Sequence, residues 1–229
     1  MSAFPSRRLA AALGAVCAFA AGPVPAAEPV FEIPPPAQDI AASGAEARAV
    51  LAGGCFWGVQ GVFEHVRGVK RAVAGYAGGP AGAADYETVS GGRSGHAEAV
   101  EITYDPGQIS YGELLRIFFA VVHDPMQLNR QGPDVGTQYR SAVFAANAAQ
   151  RQAAQAYIAQ LNRSGAYPRP LATAVEDLKG FYPAEEYHQD YLLRHPESPY
   201  IVINDLPKVR NLARAFPARY RDAPVRARP

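Results

Sequence analysis

The sequence predicts a layered domain in which helices pack on a β-sheet around one hydrophobic core. Three observations support this prediction. The chain has 229 residues, 48% of them hydrophobic, a length that suits one domain or two small ones and allows a sizeable core. Strand-like stretches alternate along it with helix-like stretches. The apolar runs are interrupted and the mean hydropathy is -0.12, which excludes a protein with several membrane spans.

The predicted strands are short apolar or alternating stretches bounded by turn residues. They comprise residues 47–52, 69–76, 96–105, 141–145 and 171–176. The third has the clearest period of two and places Glu98, Val100 and Ile102 on one face. A glycine-rich loop, residues 78–82, follows the second. The sequence predicts the order of these elements along the chain but not the order of strands in the sheet.

The predicted helices have apolar residues at helical spacing or a recognisable start signal. They comprise residues 56–66, 111–122, 147–162, 187–194 and 207–215. The second begins with a capping box, in which Ser110 and Glu113 satisfy each other's backbone N–H groups.

The chain divides by composition into a leader, a lead-in, a domain and a tail. Residues 1–27 begin with a cationic pair, continue through a short apolar run and end in small residues, as secretory signal peptides do. An uncleaved membrane anchor is the alternative. Residues 28–45 are predicted as an extended, proline-rich lead-in outside the core, residues 46–221 as the domain and residues 222–229 as a tail. We therefore expect export, to the periplasm.

Composition and charge exclude several classes of protein. Two cysteines cannot form a disulfide scaffold or a cysteine-rich zinc site. A formal net charge of +1 gives no general attraction to nucleic acid. Cys17 lies within the predicted signal peptide, so Cys55 is the one thiol expected in the mature chain.

Cys55 lies where a nucleophile is expected. A predicted strand ends at Gly53-Gly54, which allow a tight turn, and Cys55 then begins a helix with Phe56 and Trp57 beside it. The free N–H groups and the dipole at a helix start favour a thiolate. The alternative is a buried structural cysteine, which is common for free thiols. The glycines and the predicted export favour the reactive interpretation, because idle exposed thiols are a liability in an oxidising compartment.

Glu98 is the candidate general acid. It shares a strand face with Val100 and Ile102, so we expect it at the edge of an apolar layer. Burial there raises the pKa of a carboxyl, which then carries a proton at neutral pH. The alternative is a carboxylate at the strand end that reaches solvent or pairs with Arg93.

Residues 123–140 form a long polar loop that is rich in Gly, Pro, Asn and Asp. Loops of this length inside compact domains are often functional. A solvated connection between two apolar elements is the alternative.

Three stretches carry a family resemblance, namely Gly54-Cys-Phe-Trp-Gly58, Gly92-Arg-Ser-Gly-His-Ala-Glu98 and residues 124–141. In sequence, order and spacing they resemble the A-type peptide methionine sulfoxide reductases, enzymes of methionine repair. The resemblance extends from about Arg48 to His195 and includes residues 186–191, which we predict as helical.

The resemblance implies an α+β fold, a two-layer α/β sandwich with a mixed sheet in a ferredoxin-like plait, with extra helices and an extended C-terminal tail. It implies reduction of methionine S-sulfoxide, free or in proteins, to methionine.

By position, Cys55 matches the nucleophile that attacks sulfur and becomes a sulfenic acid, and Glu98 matches the acid that protonates the oxygen. The resemblance implies these substrate-binding residues: Phe56 and Trp57 around the methyl group, and Tyr86, Asp134 and Tyr139 around the oxygen and thiolate. It implies no metal and no organic cofactor.

The C-terminal region departs from the family pattern. Many members have one or two further cysteines there, and here Ile201 lies roughly where a resolving thiol is expected. The hypothesis that follows is that an external thiol, of the thioredoxin or glutathione type, attacks the Cys55 sulfenate. We expect oxidised proteins or free methionine sulfoxide as the other partners, and a monomer.

Three other classes compete with this interpretation. A thiol peroxidase would also cycle through a sulfenate but would need neither an aromatic methyl pocket nor a facing acid. A cysteine hydrolase would use a histidine, for which His96 is the obvious candidate because it shares the strand face of Glu98. A module that only binds oxidised methionine would need neither the nucleophile nor the acid.

Overall fold

The computed structural model describes Met1 and residues 30–227. The predicted signal peptide beyond Met1, with Cys17, lies outside the described residues, as do the first two residues of the lead-in and the last two of the tail. Among the described residues, no helix has the length and apolar character that crossing a bilayer requires.

The centre of the fold is a mixed sheet of six strands in the order β7-β6-β1-β3-β2-β8. Only the β6–β7 pair is parallel. A separate hairpin of β4 and β5 lies in the long polar loop. The strands are β1 (Ala47–Gly53), β2 (Val69–Ala77), β3 (Ala97–Tyr104), β4 (Arg130–Gln131), β5 (Asp134–Val135), β6 (Ser141–Ala145), β7 (Ala174–Asp177) and β8 (Phe181–Pro183).

The helices pack on one face of this sheet. They are α1 (Phe56–Glu64), α2 (Tyr86–Ser90), α3 (Tyr111–Ile117), α4 (Ala148–Ser164), α5 (Tyr191–Arg194) and α6 (Leu206–Ala215). Helix α1 packs on β2 and β3, α4 packs on β6 and β7, and α5 and α6 pack on α1. The four central strands in the order β6-β1-β3-β2, with α1 and α3 as connections, form the ferredoxin-like plait. The predicted two-layer α+β fold is confirmed.

The two faces of the sheet bury different residues. The large core lies between sheet and helices and includes Leu51, Val100 and Phe63. The opposite face carries a small, alanine-rich cluster around Phe144. Strand β3 is therefore buried on both faces, which explains why Glu98 and its neighbours are inaccessible to water.

One predicted helix is wrong at a specific residue, and another is helical over its whole length but changes type near its end. The predicted helix 187–194 is a 3-10 turn at Glu186–His188 followed by α5, with a break at Asp190, whose φ is +53°. The break occurs because the Asp190 N–H donates to Gln60 and its carboxylate accepts from the Ala227 N–H, so tertiary bonds replace helical ones. The end of the predicted helix 111–122 is a π-helical turn, Phe118–Val122.

Three further differences concern the edges of the domain. Strand β7 begins three residues later than the predicted strand 171–176, and β8 was missed altogether. The lead-in is irregular as predicted but is not outside the core, since Ile33 is only 6% exposed. Phe31 packs on the ring of Tyr167 at 4.6 Å, and the Tyr157 hydroxyl donates to the Pro34 carbonyl, which fixes the lead-in to the domain.

The turn between β1 and α1 depends on a glycine. Gly54 has a φ of +90°, and a Cβ atom there would lie 2.6 Å from the Cβ of Gln131. Only glycine combines this backbone conformation with such a close approach. The turn carries the chain from the central strand directly into α1 and so sets the position of Cys55.

We predict that Gly54→Ala lowers the free energy of unfolding by about 1–3 kcal/mol, because the new side chain is strained and collides with Gln131. Denaturant unfolding measures the change. Gly82→Ala is the matched control, since no described heavy atom lies within 4 Å of a Cβ at that position. Equal stability of the two variants would contradict the assigned role of Gly54.

Candidate active site

Cys55 lies at the N-terminal end of α1 and is 8% exposed. Burial raises the pKa of its thiol well above the ordinary value, and the negative charges of Glu98, Asp205 and Asp134 raise it further. A hydrogen bond from the backbone N–H of Trp57 acts in the opposite direction and lowers the pKa. The expectation that the helix start favours a thiolate is therefore wrong for the substrate-free protein, because desolvation and the nearby carboxyl groups outweigh the hydrogen bond from the helix start.

Glu98 lies on β3, facing the first turn of α1, and is 2% exposed. The Phe56 N–H donates a hydrogen bond of 3.0 Å to its Oε2. Burial raises the pKa of Glu98 to about 8; the Phe56 hydrogen bond opposes this rise, while the charges of Asp134 and Asp205 add to it. The carboxyl is therefore protonated at neutral pH, as the strand pattern predicts. A carboxylate in solvent, the alternative, is wrong.

The aromatic residues after Cys55 form one wall of the site. Phe56 is fully buried, and the indole of Trp57 stacks on Tyr191 with ring centroids 3.8 Å apart and planes 10° from parallel. Tyr200 meets the same indole edge-on, with centroids 5.8 Å apart. The Trp57 Nε1–H donates to Nδ1 of His188 at 3.2 Å. Stacking and hydrogen bonding together hold the indole in one orientation.

His188 is the polar support of this wall. It lies between aromatic rings, 5.0 Å from Phe56 and 4.5 Å from Tyr86 between centroids. Burial lowers the pKa of its imidazole, although the charge of Glu185 acts in the other direction. The ring is therefore neutral, and because Nδ1 accepts the Trp57 hydrogen bond, the proton lies on Nε2.

The polar side of the site comes from three other segments. Tyr86 begins α2, whose start is capped by the Asp85 carboxylate accepting from the Thr88 N–H. Asp134 lies in β5, and Tyr139 ends a 3-10 turn in the same loop. The Tyr200 hydroxyl donates to the Asp134 carboxylate across the site. The long polar loop is thus part of the site.

These side chains meet at one cavity of about 170 Å³. All seven residues singled out in the sequence line it together with one that was missed: Cys55, Phe56, Trp57, Tyr86, Glu98, Asp134, Tyr139 and Tyr200. Its volume is below the roughly 300–1,000 Å³ of pockets for drug-sized ligands, so it suits one small group.

The tyrosines of the cavity serve as hydrogen-bond donors. Burial is the largest effect on all three and raises the pKa values of Tyr86, Tyr139 and Tyr200. The charges of nearby acids, including Glu98 for the first two, add to the rise. The hydroxyls therefore keep their protons, and the site offers donors, a protonated carboxyl and a thiol to whatever enters it.

His96 does not reach the thiol. It is buried beside the glycine-rich loop, where its Nδ1 accepts from the Gly79 N–H at 3.2 Å and its Nε2 lies 3.0 Å from the Pro80 carbonyl oxygen. The geometry therefore gives no support to a Cys–His hydrolase. Within the described part of the chain, no cluster of His, Cys, Asp or Glu side chains is suited to a metal ion.

Several site residues were missed in the sequence. They are His188, Tyr191 and Tyr200 in the wall, and Asp205 and Lys208 behind it. The concentration of aromatic residues between positions 182 and 200 was an available signal for the first group. The last two, three residues apart beside a predicted helix, look like an ordinary exposed ion pair.

Comparison with known proteins points to one family. The family model described as "Peptide methionine sulfoxide reductase" matches residues 47–220. The chain is 60% identical over 185 residues to the peptide methionine sulfoxide reductase MsrA 2 of Mesorhizobium japonicum, covering 81% of this chain and 94% of that protein. It is 54% identical over 189 residues to the MsrA 2 of Synechocystis sp., covering 80% and 88%.

Solved structures agree with this assignment. The reduced form of Mxr1 from Saccharomyces cerevisiae is 35% identical, with a TM-score of 0.60 over 67% of this chain and 88% of that one. The methionine sulfoxide reductase A of Corynebacterium diphtheriae is 34% identical, with a TM-score of 0.57 over 67% and 77%.

We predict that the stability of the wild type falls relative to Glu98→Gln by a few kcal/mol between about pH 4.5 and pH 8. The folded state holds a proton on Glu98 that the unfolded chain releases at lower pH, so rising pH favours unfolding until both states have lost it. Denaturant unfolding of both proteins across this range measures the difference. A constant difference would show that Glu98 is not buried in its protonated form.

Proposed function

The chain belongs to the peptide methionine sulfoxide reductases, enzymes that reduce methionine sulfoxide with thiols, and we propose that Cys55 and Glu98 perform this reduction. The observation that carries the proposal is a thiol and a protonated carboxyl in one small cavity with an aromatic wall. Reduction of a sulfoxide needs a nucleophile for its sulfur and a proton for its oxygen. The cavity provides both.

Glu98 supplies the proton in this proposal. Oxygen bound to sulfur is a poor leaving group unless it is protonated, and a carboxyl with a pKa of about 8 is still a proton donor at neutral pH. The Phe56 N–H holds one carboxyl oxygen, which fixes the acid relative to Cys55, the preceding residue. After the transfer, that hydrogen bond stabilises the carboxylate.

Cys55 is the nucleophile. Its sulfur forms a bond to the sulfur of the sulfoxide while the S–O bond breaks, and the oxygen takes the Glu98 proton and the thiol proton and leaves as water. That water then attacks the Cys55 sulfur, which breaks the S–S bond and returns one proton to the Glu98 carboxylate. The oxygen leaves the substrate and ends on Cys55, so the substrate sulfur gains two electrons and the Cys55 sulfur loses two. The products are methionine and a sulfenic acid on Cys55, which balances atoms and electrons.

The other cavity residues bind the sulfoxide group. We assign Phe56 and Trp57 to the methyl group, since they form the apolar wall, and the hydroxyls of Tyr86 and Tyr139 with Asp134 to the oxygen and thiolate. A methyl site and an acid on fixed elements admit one arrangement around the sulfur. The site is therefore expected to select one epimer, which membership of the family implies is the S epimer.

An external thiol completes the cycle. Residues 28–229 contain Cys55 as their one cysteine, and Ile201, near the position of the family's resolving thiol, is fully buried. A thioredoxin-type protein or a small thiol such as glutathione attacks the sulfenate and releases water, and a second thiol then frees Cys55 from the mixed disulfide.

The remaining assignments rest on the sequence. We propose that residues 1–27 direct export to the periplasm and are removed there, and that the mature chain acts as a monomer on free or protein-bound methionine sulfoxide.

We predict that the wild type reduces the S epimer of a methionine sulfoxide peptide in a single turnover and leaves the R epimer. Cys55→Ser should be inactive, because an alcohol cannot replace the sulfur nucleophile. Separated epimers with chromatographic detection of methionine measure both. Activity in Cys55→Ser would contradict the mechanism, and equal use of the two epimers would contradict the assignment to this class.

We also predict that one turnover without reductant adds one oxygen atom to Cys55, detectable by mass spectrometry and by reaction with a sulfenic-acid reagent. The same treatment of Cys55→Ser should add nothing. An intramolecular crosslink to Cys55 instead of the added oxygen would show that a second group of the chain resolves the intermediate.

A further inference from the structure

A buried ion pair lies behind the reacting thiol. Asp205 ends a π-helical turn, Ile201–Asp205, and Lys208 lies in the first turn of α6. Nζ of Lys208 is 3.1 Å from Oδ1 of Asp205, and the two residues are 3% and 0% exposed. Both charges are therefore removed from water.

The pair packs directly against the first turn of α1. A Cβ atom at Gly58 would lie 2.1 Å from Oδ1 of Asp205 and 2.9 Å from Nζ of Lys208. Glycine at this position is what allows the carboxylate to approach the helix backbone three residues after Cys55. A carboxylate beside a helix start also lies at the positive end of the helix dipole.

Packing alone does not explain the pair. A buried ion pair is on average no more stabilising than apolar side chains of the same volume, because both charges lose their hydration. In addition, Oδ2 of Asp205 is buried without a hydrogen-bond partner among the described residues, which is unfavourable. The feature of the pair that apolar residues would not reproduce is its electric field at the site.

The charged and titratable groups around Cys55 come from several elements. They are Glu98 from β3, Asp134 from β5, Asp205 before α6, and the phenols Tyr86, Tyr139 and Tyr200. Asp205 raises the pKa values of both Cys55 and Glu98 through its charge. Burial raises the pKa values of Asp205 and Asp134, and the positive charge of Lys208 opposes the rise in both.

We propose that Asp205 and Lys208 are positioning residues that set the charge state of the reacting centre. Asp205 opposes formation of the Cys55 thiolate and removal of the Glu98 proton while the cavity is empty, and the ammonium of Lys208, 3.1 Å away, favours the ionised form of Asp205. The inference rests on the proposed function in naming Cys55 as the reacting thiol. Its consequence is a thiol that resists oxidation between turnovers, because the thiolate is the form that oxidants attack.

The test is the pH dependence of Cys55 alkylation by iodoacetamide in three variants. In Asp205→Asn we expect the midpoint to fall by on the order of one pH unit, the size expected for loss of one nearby charge at an effective dielectric of about 20. Asp205→Asn/Lys208→Met leaves no unpaired buried charge and should also lower the midpoint. Val209→Ala, which loosens α6 without changing charge, is the control and should leave the midpoint unchanged.

The outcomes are distinct. Midpoints lowered in both Asp205 variants but not in Val209→Ala support the inference. An unchanged midpoint in the folded double variant overturns it, even if the single variant fails to fold. Because alkylation involves no sulfoxide, the two ideas can fail separately. Lowered midpoints in the Asp205 variants together with a wild type that lacks reductase activity would contradict only the proposed function. A wild type with reductase activity and variants without a shift would contradict only this inference.

Discussion

The hydrogen bond from the Phe56 N–H to Glu98 joins the start of α1 to β3, and the geometry of the site depends on it. The donor is one of the N–H groups that a helix start leaves free, and the acceptor is a carboxyl buried in the centre of the sheet. Since Cys55 directly precedes Phe56, this bond relates the thiol to the acid. The antiparallel register of β1 and β3, with Leu51 opposite Val100, fixes the start of α1 relative to Glu98 and so holds the donor and the acceptor of this bond in place.

Burial then selects the neutral forms of the thiol and the carboxyl that we propose as the reacting groups. The thiol of Cys55 and the carboxyl of Glu98 both have raised pKa values because both groups are buried and further carboxyl groups lie near them. In the resting site, Cys55 and Glu98 are therefore both protonated and uncharged. This suits a reaction that must deliver a proton to oxygen.

The C-terminal third of the domain supports this centre from outside. His188, Tyr191 and Tyr200 hold the indole of Trp57, and α6 brings its ion pair against α1. The segment that would carry a resolving thiol in other family members is used here for packing and charge. In the proposed cycle, the second half of the chemistry accordingly passes to an external thiol.

The sequence by itself determined the features that depend on local chemistry. The capping box at Ser110, the glycine turn before Cys55 and the strand parity of Glu98 each involve neighbours within a few residues, and all are present. Tertiary structure alone decided the break at Asp190, which depends on partners far away in the chain, and the protonation of Cys55. A helix start is visible in sequence, whereas desolvation depends on every element packed around the group, and here desolvation is the larger effect.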